Sequence, residues 1–95
     1  MRLAELQQLA PQLLELLARH GASNPAVFGS VARDEASPSS DVDLLVDLPA
    51  DASLFDRVEL KSALEDLLLT RVDLIRRRNL KPDLKALVEA EAIPL

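Results

Sequence analysis

One stretch narrows the folds open to this chain more than any other: Phe28-Gly29-Ser30, ten intervening residues, then Asp41-Val42-Asp43-Leu44. In extended backbone, side chains two apart share a face. Asp41 and Asp43 therefore stand side by side, while Val42 and Leu44 turn the other way. A strand with carboxylates on one side and aliphatics on the other needs a core against its second face. Residues 26–28 read as a shorter strand that runs into a Gly-Ser turn. A third segment, Arg71-Val72-Asp73-Leu74-Ile75, repeats the alternation.

Helical periodicity fills the remainder. Leu6, Leu9, Ala10, Leu13, Leu14 and Leu17 recur at three- and four-residue intervals. Pro11 interrupts this stripe, and proline inside a helix costs about 3 kcal/mol. Either one helix bends there, or a short helix ends and a second begins with Pro11 in its first turn. His20 and Gly21 form a stop signal. A short helix is expected to begin at residues 31–33, followed by a polar loop over 34–40. Residues 41–48 form a strand, and 49–51 a turn. Ser53, with Asp56 three residues on, starts a long helix whose apolar face is Leu60, Ala63, Leu64, Leu67 and Leu68. A third strand covers 71–75, and Arg76-Arg77-Arg78-Asn79 connects it to a last helix entered at Pro82. Leu84, Leu87, Val88 and Ala92 are expected to face inward there, and 93–95 to add a small edge strand. The expectation is one α/β (α+β) domain over residues 1–95, with a small mixed sheet covered by helices.

Charge and composition exclude some partners. The formal charge is -5, which lacks the basic field of most nucleic-acid binders. A nucleotide complexed with magnesium is different, because the metal brings the positive charge. There is no cysteine, hence no disulfide or thiolate site, and no apolar run of membrane-spanning length. A cytoplasmic location and no membrane partner are the expectation. Phe28 and Phe55 are the only aromatics. With both taken as buried, no stacking platform for a base is visible.

The chemistry-bearing residues are thus Gly29, Ser30, Arg33, Asp41, Asp43 and Asp73. Paired hard oxygen ligands suit magnesium, which shares its sphere among a few carboxylates, waters and phosphate oxygens. If the strands bearing Asp43 and Asp73 are neighbours, three carboxylates converge, as two-metal catalysis requires. Glycine at a strand-to-helix turn admits a phosphate close to the backbone. Ser30 can donate its hydroxyl, and Arg33, one turn later, is either a phosphate contact or a structural ion-pair partner. Other uses of Asp-x-Asp fit poorly. Haloacid-dehalogenase-type enzymes place it after a buried strand, whereas here Ser37-Pro38-Ser39-Ser40 precede it. A calcium loop needs an oxygen ligand where Leu45 stands. Arg76-Arg77-Arg78 is a solvated run or a contact for phosphate or an acidic partner.

Gly-Ser-Val-Ala-Arg, the spacer, and Ser-Asp-Val-Asp-Leu-Leu-Val resemble the signature of the DNA polymerase beta superfamily of nucleotidyltransferases. More narrowly, the chain is similar to the minimal nucleotidyltransferase (MNT) antitoxins that accompany HEPN-domain toxins. The resemblance extends from the leading helix through Ser53-Leu54-Phe55-Asp56 and Arg71-Val72-Asp73-Leu74 to Leu80-Lys81-Pro82. It implies a polymerase beta palm-like fold. Gly29 and Ser30 would hold the triphosphate of ATP, with Arg33 beside them. Asp41, Asp43 and Asp73 would bind two Mg2+ ions, Asp73 also helping to activate the acceptor. The acceptor would be a tyrosine of a HEPN toxin, joined to this chain in a hetero-oligomer. This chain has no tyrosine, so such an acceptor lies elsewhere. One departure is Asp34, where family members often carry glycine.

The alternative is an antitoxin that neutralises its partner by contact alone. A third reading, modification of a small molecule or RNA, is disfavoured. Small-molecule enzymes of the superfamily carry a second domain for the acceptor, and RNA meets the wrong charge.

Overall fold

The computed structural model describes residues 1–37 and 39–95; the loop expected over 34–40 includes Pro38, which lies outside the described residues. The fork at Pro11 resolves into two helices, α1 (Leu3–Gln8) and α2 (Ala10–Arg19). Proline sits in the first turn of α2, where its missing N–H has no intrahelical acceptor to lose. His20 ends α2 and Gly21 follows at φ +74°, as the stop signal implied. Strand β1 (Ser23–Phe28) begins earlier than the sequence suggested. Its first residue pairs with Asp47 across an irregularity between Ser23 and Ala26. There Asn24 takes φ +52° and donates its side-chain amide to Asp47 Oδ2 at 2.8 Å.

Short helix α3 (Gly29–Ala32) leads through the loop to β2 (Val42–Asp47). Helix α4 (Leu54–Leu68) carries the expected box: Ser53 Oγ accepts from Asp56 N, and Asp56 Oδ2 accepts from Ser53 N, both at 3.0 Å. Strand β3 (Val72–Arg76), a 3₁₀ turn (Arg77–Asn79), α5 (Pro82–Glu91) and β4 (Ile93–Pro94) complete the chain. Arg76 belongs to the strand rather than to the connection. It is buried and donates to the Pro49 carbonyl at 3.0 Å.

The sheet has four strands in the order β3-β2-β1-β4. β1 pairs antiparallel with β2 and β4, while β2 and β3 run parallel. Parallel neighbours need a long crossover, and α4 supplies it. Val42, Leu44 and Val46 face a core built with Leu6, Leu13, Leu17, Leu60, Leu64 and Leu68. All nine are no more than 3 % exposed. The mixed sheet covered by helices is as expected.

Two expectations about the core fail. Leu84 and Leu87 of α5 are 50 % and 70 % exposed, and no residue of α5 is buried; Val88 and Ala92 are only half-covered. The leucines of α1, α2 and α4 already fill the inner face of the sheet. Phe55 is also exposed, at 70 %, since the buried stripe of α4 is Leu60, Leu64 and Leu68 and Phe55 lies off it. The inference that both phenylalanines are buried is therefore corrected.

Candidate nucleotidyl-transfer site

The register brings the predicted carboxylates together. Asp43 on β2 is the direct partner of Asp73 on β3, and Phe28 on β1 is the partner of Asp43 from the other side. Residues opposite one another in a ladder share a face, so Asp43 and Asp73 project from the same side of the sheet. Asp41 lies one residue ahead of β2, where it meets Arg71 at 3.4 Å. The start of β3 is pinned on both sides. Val72 N donates to Glu65 Oε2 at 2.9 Å, and Arg71 O accepts from Val42 N at 2.9 Å. These bonds fix Asp73 relative to Asp43.

Gly29 follows Phe28 directly and therefore abuts Asp43. Its φ is +72°, in the left-handed region that favours glycine. A β-carbon here would overlap Asp43 Oδ2 and stand 3.2 Å from Asp43 Cγ. Glycine is thus required twice over, by the turn and by the carboxylate behind it. Ser30 is half-buried in the first turn of α3, and its carbonyl accepts from Glu35 N at 2.8 Å.

The electrostatics are those of a site short of positive charge. Burial pushes the Asp43 carboxyl above the ordinary carboxylate range, and repulsion from Asp73 and Asp41 pushes it further. Arg33 pulls it back in part. Hard oxygen donors that repel one another fit a divalent cation, which would relieve the repulsion. Among the described residues, no group of three acidic or histidine side chains is already gathered about one metal-sized point. Asp41 is paired with Arg71.

Arg33 is the ambiguous residue, and its contacts here are ion pairs. Nη1 contacts Glu91 of α5, and Nε meets Glu35 Oε2 at 3.2 Å. These carboxylates hold the guanidinium more firmly charged than usual, Glu91 most of all. Glu91, 58 residues away, adds to the negative potential felt by Asp43. Nothing in the local sequence signals this role, because the contact exists only once α5 has packed. Asp34 sits at φ +58°. That left-handed conformation favours glycine, and aspartate is among the residues that tolerate it.

A small cavity of about 190 Å³ borders the site, lined by Asp73 and Leu74 of β3 and by Leu54, Arg57, Val58 and Lys61 of α4. A larger cavity of about 760 Å³ lies away from Asp43 and Asp73, between α1 and the end of α4. Of the two, the smaller is the one that Asp73 lines. Among the described residues, no helix is long and apolar enough to cross a membrane.

Comparison with known proteins identifies the family and the fold. The nucleotidyltransferase domain profile matches residues 9–94. Protein adenylyltransferase MntA of Thermococcus cleftensis is 43 % identical over 79 residues, which is 83 % of this chain and 80 % of that protein. A solved structure described as a candidate minimal nucleotidyltransferase superposes with a TM-score of 0.88 at 49 % identity, over 100 % of this chain and 97 % of the other. An MNT antitoxin complexed with tri-AMPylated Shewanella oneidensis HEPN toxin shares the fold, with a TM-score of 0.70 at 22 % identity, over 93 % and 69 % of the two chains.

Proposed function

The chain belongs to the nucleotidyltransferase family, and from that premise we propose that it transfers AMP from Mg-ATP to a tyrosyl hydroxyl of a HEPN-type toxin, so acting as the toxin's antitoxin. The observation that carries the proposal is the pairing of Asp43 with Asp73 in register, with the Gly29 turn pressed against Asp43. Residues 1–95 are read as one minimal catalytic domain.

Each residue then has a task. Gly29 and Ser30 receive the triphosphate, since the turn brings bare backbone and a hydroxyl close to the carboxylates. Asp41, Asp43 and Asp73 would hold the magnesium, with two ions as the preferred count. When bound, magnesium offsets charge on the phosphates and on the acceptor oxygen. The acceptor oxygen bonds to the α-phosphorus, the bond from that phosphorus to the bridging oxygen breaks, and pyrophosphate leaves. Asp73, the most solvent-accessible of the register pair, takes the hydroxyl proton. Arg33 reaches a phosphate only by leaving Glu91 or Glu35.

Names of relatives support the acceptor class. MntA of T. cleftensis is called a protein adenylyltransferase, and the S. oneidensis complex contains an AMPylated HEPN toxin. The test incubates the purified toxin with labelled ATP, magnesium and this protein. Label should reach the toxin, and Asp41→Asn with Asp43→Asn should abolish both transfer and neutralisation. No label on the toxin, together with full neutralisation by the double variant, would overturn the proposal. That outcome favours neutralisation by contact alone, a reading consistent with Arg33 and Asp41 being engaged by Glu91 and Arg71.

A further inference from the structure

Positive charge is unevenly spread along this acidic chain. Five of its 11 basic side chains fall within residues 76–85, against a single acid, Asp83. Three of the five are consecutive. Arg76, Arg77 and Arg78 line a cavity of about 320 Å³ together with Val46, Asp47 and Leu48. These residues mark the carboxyl ends of β3 and β2, the parallel pair. In open sheets with parallel strands, ligands gather in the crevice beyond those ends. Asp47 stands four residues along β2 from Asp43, about 13 Å at the rise of a strand. The cavity is therefore distinct from the carboxylate cluster.

The arginines are short of partners. Only 9 % of Arg76 is exposed. One of its terminal nitrogens donates to the Pro49 carbonyl at 3.0 Å, but its Nε is buried with no hydrogen-bond partner. Among the described residues, no carboxylate pairs with its guanidinium. A buried charge is costly unless it is both paired and hydrogen-bonded. Arg77 Nη1 is buried as well. It lies 3.1 Å from Asp47 Oδ1 without forming a hydrogen bond. Asp47 Oδ2 is already taken by the Asn24 amide at 2.8 Å. The lining thus holds three guanidiniums and one carboxylate, a surplus of two positive charges, with two buried N–H donors lacking acceptors.

We propose that this cavity binds a phosphoanion, whose oxygens accept from Arg76 Nε and Arg77 Nη1. A phosphate group carries about -1.5 to -2 charge at neutral pH, which matches the surplus. Its tetrahedral oxygens meet donors arriving from several directions, whereas a carboxylate brings one charge and two oxygens in one plane. The volume stands at the small end of the roughly 300–1,000 Å³ range of small-molecule pockets. It has room for free phosphate or for the phosphate end of a small molecule. Because Arg76 also holds Pro49, at the exit of β2 toward α4, an anion on Arg76 stabilises the fold where those elements join. The site is independent of the transfer reading, whose phosphates belong at the Gly29 turn.

The experiment uses the full chain labelled with nitrogen-15, titrated with inorganic phosphate at an ionic strength fixed with chloride. NMR follows the arginine Nε–H resonances. Those of Arg76 and Arg77 should shift along one saturable curve that the Arg33 resonance does not follow. Arg77→Gln should weaken phosphate binding about tenfold or more, the cost of one hydrogen bond to a charged group. Arg19→Gln, at an exposed arginine elsewhere, should stay within twofold of wild type. Backbone spectra report whether each variant folds. Arg76→Gln is the harsher change, and the Arg76 resonance of the wild type tests that residue even if the variant does not fold. A second titration with AMP separates the sources. Tighter binding than phosphate assigns a nucleotide's phosphate, equal or weaker binding assigns free phosphate, and either supports the inference. Arg76 and Arg77 resonances that neither probe moves would overturn it, as would wild-type phosphate affinity in a folded Arg77→Gln protein. Shifts produced only by a glutamate-rich peptide would also overturn it, assigning the cavity to an acidic protein segment.

Discussion

Gly29→Ala separates backbone strain from active-site displacement. At φ +72° an alanine carries about 1–2 kcal/mol of left-handed strain. Loss of unfolded-state freedom offsets about 0.4–1 kcal/mol of that. The new methyl also meets Asp43, whose Cγ would be 3.2 Å away and whose Oδ2 would overlap it. The carboxylate must rotate, at about 0.5–1.5 kcal/mol for an off-rotamer side chain. The net loss is about 0.5–3 kcal/mol, and Tm should fall by roughly 2–25 °C for a domain of this size. Catalysis should suffer more, because a shift of about 1 Å in a positioned group costs roughly a hundredfold in rate. Gly21→Ala is the internal control. Gly21 has nearly the same φ, +74°, but its added carbon meets only Pro49 Cγ, at an ordinary 3.8 Å. It should lose stability through strain alone and retain the wild-type transfer rate per folded molecule. Thermal melts, Mg-ATP titration and labelled transfer on both variants make the comparison. A Gly29→Ala protein that transfers at the wild-type rate would refute the claim that this glycine makes room for Asp43.

Three further outcomes are expected. Asp43→Asn should raise Tm of the chelator-treated protein at neutral pH while abolishing transfer. The folded Asp43 carboxyl is raised, so its ionisation destabilises the fold as pH climbs from the ordinary carboxylate range through the folded pKa. The gain should therefore vanish in acid, and melts across pH with a gain independent of pH would contradict it. Leu69→Gly should stabilise the protein by about 0.5–1 kcal/mol, because Leu69 caps α4 in left-handed geometry and is 89 % exposed; a lower Tm in a melt would count against this. Glu91→Gln removes a carboxylate from both Arg33 and the surroundings of Asp43. Calorimetry should show Mg-ATP binding about two- to fivefold tighter, and weaker binding would mean that the pair supports the site rather than competing with phosphate.

Local order set much of this molecule in advance. Alternation in Asp41-Val42-Asp43-Leu44 and in Val72-Asp73-Leu74 specified strands with acids on one face, because the side-chain period of a strand is two. Ser53 and Asp56 specified where α4 begins, because a helix start leaves amides that a capping box satisfies. The Gly29-Ser30 signal marked the strand-to-helix turn that abuts Asp43. What tertiary structure decided was everything that depends on which elements become neighbours. Parallel pairing of β2 with β3 made Asp43 and Asp73 partners. Packing of α5 brought Glu91 to Arg33 across 58 positions and left Leu84 and Leu87 in solvent. Periodicity marked those leucines as a face, but an apolar stripe does not reveal whether a core has room for it. Nor did it reveal that Leu54, Phe55 and Val58 would remain uncovered beside Asp73. Local sequence encodes the torsions and the facing of each element, whereas contact, burial and field at Asp43 come from long-range packing that no short window of residues contains.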